Sequence, residues 1–410
     1  MSSQYSATPS RRRWPLPRRH SKRAGVGLGV GTALIAGTAL GTLGSTLMPV
    51  LLPEMGDRYG ISNTGTGAVA TAQLVMTALV TLALMPRVAR PGRARIAQLG
   101  VAAAAAGFTL AAVAPDLTTL VTANIVAGAG LGAVNAAAMA AIASTDDSDR
   151  ASSIAVVGAI VVAAVLMTAL PEAQALWGEP AQFALLAFCC LPALWLLRTL
   201  PEPTEQHHEA AAGPPVPVSF LAAVALLGAS DQGAWSYSAT LGEQHNGMTP
   251  GAVSTVLAVA SIASLAGVGL NHIALRTCGR IAAIAVLITV EGLAKLLIAL
   301  VPSPAVFTAA AIVWQVCFMG LLVALLAVAA SVDSSGRWVA GAGGALAIGT
   351  ALGPAPSGWI LDTWGAPAFG LAITLTTALA AIPLLRTTHG ALTAEATAAA
   401  ALPGHRPLVS

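Results

Sequence analysis

Long apolar runs, cut by short polar breaks, fill the chain from residue 25 to residue 386. Each run holds roughly the 20 residues a helix needs to cross a bilayer. The pattern predicts twelve spans, at 25–53, 63–85, 96–114, 119–142, 152–171, 182–200, 218–241, 250–274, 281–301, 304–332, 338–360 and 366–386. Such runs read as helices, because a segment in lipid must satisfy its own backbone hydrogen bonds. A spanning barrel would alternate polarity over stretches of about ten residues, and no such alternation is present. The breaks leave a basic tail at 1–24, a linker rich in Pro, Glu and His at 201–217, and an Ala/Thr-rich tail at 387–410, expected to be disordered. The prediction is an all-α integral membrane protein with twelve transmembrane helices. They form one six-helix bundle over 25–200 and a second over 218–386.

The runs also repeat, at a constant offset of 187 residues and without a gap. Gly60 recurs as Gly247, Gly92-Arg93 as Gly279-Arg280, and Pro115 as Pro302. Asp146, Ser148 and Arg150 recur as Asp333, Ser335 and Arg337. Trp177-Gly178 and Pro180-Ala181 recur as Trp364-Gly365 and Pro367-Ala368. Gly and Ala matches are cheap in this composition, whereas Trp, Arg, Asp and Pro matches are not. Two like-oriented copies of one unit, related by a pseudo-twofold axis along the membrane normal, predict a transporter of two halves.

Composition agrees with the pattern. Hydrophobic residues are 56% of the chain and charged residues 9%, against about 25% charged in a soluble domain. Charge then sets the orientation. Of the 20 Lys and Arg, all but Arg58 and Lys295 fall on one side of the predicted membrane. They include the seven in the tail (Arg11 to Arg23) and Arg87, Arg90, Arg93 and Arg95 after the second span. The positive-inside rule puts both termini and residues 201–217 in the cytoplasm. Glu54, Asp57, Asp116, Glu172, Glu179, Glu243 and Asp362 are expected outside. The first apolar run is too long for a cleaved signal and is followed by further spans. The tail reads as an orientation signal near lipid headgroups and not as a nucleic-acid site. His207-His208 read as solvated linker residues, with no third metal ligand near. The four cysteines suggest no disulfide.

Much chemistry is excluded. The chain has two lysines, Lys22 and Lys295, and neither follows a Gly-rich phosphate loop, so there is no Walker A motif. GxSxG, HExxH and CxxC are absent, and no acid, base and nucleophile cluster within the spans. No cofactor is implied. Transport driven by an ion or solute gradient remains.

Three motifs carry a family resemblance. MPRVARPGRAR, between the second and third spans, keeps Arg90, Gly92 and Arg93 of a Gly-x-x-x-Asp-Arg-x-Gly-Arg loop, with Met85 and Ala89 in place of its Gly and Asp. Its copy LRTCGR keeps Gly279 and Arg280. DSSGR is followed by Gly349, Gly353-Pro354, Gly358 and Asp362, and AGAGLG lies in the fourth span. In this order and duplication they resemble the major facilitator superfamily across residues 25–386. The resemblance implies cytoplasmic gate loops at Arg90, Gly92, Arg93, Arg150, Gly279, Arg280 and Arg337. Missing the loop's Asp, this chain is expected to have a weakened latch between halves; simple positive-inside anchoring is the alternative for these arginines. Asn124 stands where many proton-linked exporters carry Arg, and the fifth span keeps only Gly158 and Pro171 of the antiporter signature.

Charges inside spans are expensive and commonly functional. Asp231 lies near the middle of the seventh span, where the first half has Gly44. The resemblance puts that span against the central cavity, so Asp231, as the one unpaired acid there, is the expected proton carrier or cation contact. Glu291 and Lys295, four residues apart on the ninth span, can neutralise each other. The resemblance makes that span peripheral, favouring a structural pair over a coupling role. Trp235 and Gln232 beside Asp231, Trp314, Gln315 and Phe318 on the tenth span, and Asn124 and Asn135 on the fourth are the expected substrate contacts, with helix packing as the alternative. Gly37/Gly41, Gly128/Gly132 and Gly349/Gly353 have GxxxG spacing, expected to serve internal packing in a monomer.

The sequence thus reads as a secondary transporter of the cytoplasmic membrane, moving a small organic solute by alternating access with protons. Export of an amphiphilic compound is preferred. Proton-linked uptake of a small nutrient such as an aromatic acid, or an integral membrane enzyme, are the alternatives.

Overall fold

The computed structural model of the chain describes residues 25–203, 215–333 and 336–400. The N-terminal arginines, His207, His208, Ser335 and Arg406 lie outside them. Among the described residues every regular element is helical. The first half holds α1 (Leu28–Thr46), α2 (Met48–Tyr59), α3 (Asn63–Val88), α4 (Arg93–Ala112), α5 (Leu117–Ala143), α6 (Ser148–Trp177) and α7 (Ala181–Leu196). The second holds α8 (Val218–Ser236), the short α9 (Ser238–Thr240) running into a π-turn (Leu241–His245), α10 (Pro250–Ala263), α11 (Ala266–Leu300), α12 (Pro304–Val332), α13 (Arg337–Leu352) and α14 (Pro354–Ala400). Among the described residues, nine helical segments are long and apolar enough to cross a membrane.

Helix ends follow the polar breaks of the sequence. Ser62, Asp116, Asp147 and Thr249 cap α3, α5, α6 and α10 by accepting a bond from a first-turn N–H. Two predicted breaks fall inside continuous helices. α11 bends at Gly279 and α14 at Gly365, both with non-helical backbone angles. α14 also runs to Ala400, so the expected disordered tail begins as helix. The polar residues after 386 are no obstacle to this, since Ala, the best helix former, is the commonest residue of 387–400.

The offset of 187 is visible in the backbone. Gly60 and Gly247 have φ of 60° and 66°, Gly92 and Gly279 of 99° and 81°, and Gly178 and Gly365 of 86° and 76°. These are left-handed values that favour glycine, and among the described residues only Gly336 shares them. The Arg93 guanidinium donates to Ser144, and its counterpart Arg280 donates to Ser331 at the same offset.

The helices pack through their small residues. A Cβ on Gly41 would collide with Asn135 of α5, on Gly128 and Gly132 with the α3 backbone, and on Gly349 and Gly353 with the α8 backbone. The GxxxG pairs therefore serve contacts within the chain. Large apolar side chains such as Leu99, Val165, Phe188, Leu375 and Leu379 point outward, the disposition expected of a surface solvated by lipid.

The two halves meet unevenly. One hydrophobic core runs through the first half and on into Trp235, Tyr237, Leu257, Phe307 and Phe369 of the second. The opposite end of the second half, around Phe220, Leu287, Leu325 and Trp338, forms a separate core. The shared core lies toward the end that carries the acidic loops. There the Asp362 carboxylate caps α3 across the interface, accepting from the N–H groups of Asn63 (3.2 Å) and Thr64 (2.6 Å) and from both side chains. The Tyr237 hydroxyl donates to the Asn63 carbonyl at 2.8 Å. Gly67 and Gly358 leave room for it, since a Cβ on either would overlap that hydroxyl. The halves are closed at the acidic end.

Candidate functional site

Asp231, Glu291 and Lys295, the charges placed in the middle of predicted spans, form one cluster. Lys295 on α11 lies 2.5 Å from Glu291 one turn away and 3.3 Å from Asp231 on α8. Trp314 on α12 donates its indole N–H to the same Asp231 oxygen at 2.7 Å. The Lys295 ammonium also sits 5.2 Å from the Trp314 ring centroid, within cation–π range. Glu291, Lys295 and Trp314 are each at most 3% exposed, and Asp231 is 9% exposed.

This corrects two expectations. Asp231 is not an unpaired acid, and Glu291–Lys295 is not a self-contained peripheral pair. The i,i+4 spacing identified the pair, but the reach of a lysine to a neighbouring helix is invisible in one-dimensional spacing. Among the described residues, two carboxyls share one ammonium. With every group ionised, the cluster would carry a net negative charge inside apolar surroundings, which is costly. One proton on either acid makes it neutral. One Glu291 oxygen has no hydrogen-bond partner, which leaves a place for that proton.

The cluster adjoins the first half. Trp235 meets Trp314 edge to face, with centroids 5.9 Å apart, and donates its N–H to the Thr46 carbonyl at 2.9 Å. Gln232 donates to the Ser45 carbonyl at 3.0 Å and to Ser236. Both acceptors lie at the end of α1, just before the chain breaks at Leu47 and resumes as α2. A displacement of one half against the other must disturb these bonds, and Gln232 is the immediate neighbour of Asp231 in the chain.

The remaining candidates separate. Asn124 is buried and spends its amide on the Leu120 carbonyl of its own helix, so it does not join the cluster. Asn135 abuts Gly41 of α1. Gln315 and Phe318 are half-buried on α12, and Phe318 packs on the core. Reading the sequence missed Gln73 on α3. It is 1% exposed, and neither amide atom has a partner. A Cβ on Gly44 would meet its nitrogen, so Gln73 borders the position equivalent to Asp231. A polar side chain in an otherwise apolar span was the available signal.

Of the gate-loop residues, Arg93 is held within the first half. Arg93 is 2% exposed and donates to the carbonyls of Val88 and Pro201 and to Ser144. Glu202 accepts from the backbone N–H groups of Gly92, Arg93 and Ala94. A carboxylate from the start of the linker thus occupies the helix N-terminus, in a loop whose own Asp is missing. Burial alone would raise the Glu202 pKa, but the three N–H bonds and Arg93 outweigh it and hold the group below the usual carboxylate range. Arg90 is exposed. The Arg150 N–H binds the Asp147 cap, and Arg337 and Trp338 N–H groups bind Asp333.

The sequence matches the model of the Major Facilitator Superfamily over residues 33–333. The chain belongs to that family of membrane transporters. Its fold is similar to the crystal structure of a bacterial homologue of the human lysosomal transporter Spinster, captured inward-facing and unoccupied. The likeness has a TM-score of 0.64 at 14% identity and covers 90% of this chain and 95% of that one. No curated protein matches the chain.

Proposed function

We propose that the chain is a proton-coupled secondary transporter, and that the Asp231–Lys295–Glu291 cluster is its coupling site. The observation that carries this is the odd charge count of a buried cluster that adjoins the seam between the halves, where Trp314 meets Trp235 ring to ring and Trp235 and Gln232 donate to α1. Gain or loss of one proton changes its charge by one unit where solvation is poor. The same event bears on Trp235 and Gln232, which hold the first half. In this reading Trp235, Trp314, Gln232, Gln315, Phe318, Asn135 and Gln73 border the solute path. Two indoles and several amides suit an amphiphilic organic compound with aromatic or cationic character. Export is the preferred direction.

The chain crosses the membrane twelve times in this reading, as two six-helix bundles over 25–200 and 218–386. The bends at Gly279 and Gly365 supply the turns that continuous helix otherwise hides. The basic loops and both termini are cytoplasmic, so the acidic-end closure corresponds to an inward-facing state. The inward-facing state of the Spinster homologue agrees with that assignment. A monomer suffices for the cycle.

The test is solute flux in proteoliposomes carrying an internal pH dye, across a panel of aromatic and cationic amphiphiles. Coupled proton movement is expected in the wild type. Asp231→Asn and Glu291→Gln are expected to lose accumulation against a gradient. Wild-type accumulation with an unchanged pH profile in both variants would remove the cluster from the coupling path.

A further inference from the structure

Glu54 is a second buried acid, and nothing in the coupling cluster accounts for it. It lies on α2, beyond the break at Leu47, and is 3% exposed. Both carboxyl oxygens are buried without a hydrogen-bond partner. It has no ion pair within 4 Å among the described residues. Its position is on the seam between the halves. Glu54 lines a cavity of about 400 Å³ with Pro49, Pro53, Pro171 and Gln182 of the first half and Glu243 and Ser254 of the second.

The surroundings disfavour a carboxylate. Asp57 and Glu172 line the same cavity as Glu243, and Glu179 also acts on Glu54 electrostatically. Arg58 is the nearby cation. Its guanidinium is already engaged by the carbonyls of Ala111, Ala112 and Ala114 and by the Tyr59 ring. His245 ends the facing π-turn. α3 and α8 also pack on α2, but their only charged side chains are Arg87 at the far end of α3 and Asp231 in the coupling cluster. An ionised carboxylate with no donor, buried beside these other acids, is strongly disfavoured. A neutral carboxyl avoids this. Parting of the halves at this end would remove the cavity wall contributed by α9, the π-turn and α10 and would expose Glu54 to water.

We propose that Glu54 is a second proton-binding site, occupied when the acidic end is closed and emptied when that end opens. The proposal rests on the alternating-access reading but not on the coupling cluster. The proton is bound from the aqueous phase at the acidic end and returned to it, so closure there consumes one proton and opening releases it. Since the closed state binds the extra proton, acid favours closure and alkali favours opening. For one linked proton the closed-to-open ratio changes by at most about tenfold per pH unit.

The test uses the full chain in lipid nanodiscs, with spin labels at Val113 and Ala305, exposed positions at the acidic end of opposite halves. Distances between labels are measured from about pH 5 to about pH 9, a range wide enough to expose a one-proton linkage. The wild type is expected to lose the short-distance population as pH rises. Glu54→Gln, permanently neutral and nearly isosteric, is expected to stay closed throughout. Asp57→Asn, which neutralises an exposed acid of the same cavity, is expected to keep a pH response. A Glu54→Gln profile matching the wild type, or a wild type without any pH response, overturns the proposal. Loss of the response in Asp231→Asn with retention in Glu54→Gln would assign the proton to the coupling cluster instead.

Discussion

Replacing Lys295 by methionine tests the charge count directly. Methionine keeps much of the buried stem and removes only the cation from between Asp231 and Glu291. The wild-type cluster is neutral with one proton. The variant is neutral only with two, so folding must take up one additional proton. An unfolded Asp or Glu has a pKa of about 3.9 to 4.3, and protonating one at pH 7 costs roughly 1.36 kcal/mol for each unit between. The expected destabilisation is about 4 kcal/mol at pH 7 and about 1 kcal/mol at pH 5. It falls on acidification because the folded variant then binds more protons than the unfolded chain. The measurement is tryptophan-detected melting of purified protein in detergent at both pH values, against wild type. Lys295→Met/Glu291→Gln should recover most of the loss at pH 7, since one acid is then neutral by construction. A Lys295→Met penalty that is equal at the two pH values would refute the counting, and so would a double variant weaker than the single.

Three further outcomes follow from the geometry. Trp314→Phe removes the N–H donated to Asp231 and should cost about 1–3 kcal/mol while shifting the pH profile of transport; flux across a pH series reads the second effect, which lost packing alone would not produce. Glu202→Gln should speed hydrogen exchange at the amides of Gly92, Arg93 and Ala94. Because the Glu202 pKa lies below the ordinary value, the wild-type anchor should persist at neutral pH and fail only as pH falls through that lowered value. Gly358→Ala places a Cβ against the Tyr237 hydroxyl and the Asn63 carbonyl, and should push the acidic end open; an unchanged distance between labels at Val113 and Ala305 would contradict this.

Much of the fold was legible in the sequence because lipid removes alternatives. An apolar run of spanning length must be helical, and repeated Trp, Pro, Arg and Gly positions expose the internal duplication. Glycines were the most faithful markers. Gly60, Gly92 and Gly178 and their copies are matched in conformation as well as identity. The contacts between helices were less legible. Asp231 and Lys295 lie on helices far apart in the chain, and nothing along it fixes which faces of α8 and α11 meet. Glu54 shows the opposite limit. Near an acidic loop and beside Pro53, it reads as a surface residue, whereas side chains of both halves close around it. Glu202 was obscured by the linker that follows it. A carboxylate outside the family's loop motif fills the role of one inside it, because a helix N-terminus recognises charge and geometry regardless of where in the chain they originate.

The asymmetry between halves carries more functional information than the repeat. Paired left-handed glycines and paired Arg–Ser bonds build a scaffold that two halves can share. A strictly symmetric machine would place a charge at both Asp231 and its counterpart, which is Gly44. The first half has no side chain there; Gln73 of α3 packs toward the vacant position instead. Its amide has no partner, whereas Asp231 has two. The seam is therefore charged on one side, with Asp231 paired, and neutral with an unpartnered amide on the other. A proton arriving at the second half changes the charge of its own cluster, while the first half contributes the Ser45 and Thr46 carbonyls that register the change. Transferring the acid across the pseudo-symmetry axis, as Gly44→Asp with Asp231→Gly, should not preserve coupling. The counterparts of Glu291 and Lys295 in the first half are Ala104 and Phe108, so the transferred carboxylate would find neither a second acid nor an ammonium. Accumulation driven by a proton gradient in that exchanged variant would show that position alone, without the ammonium and the indole, is enough.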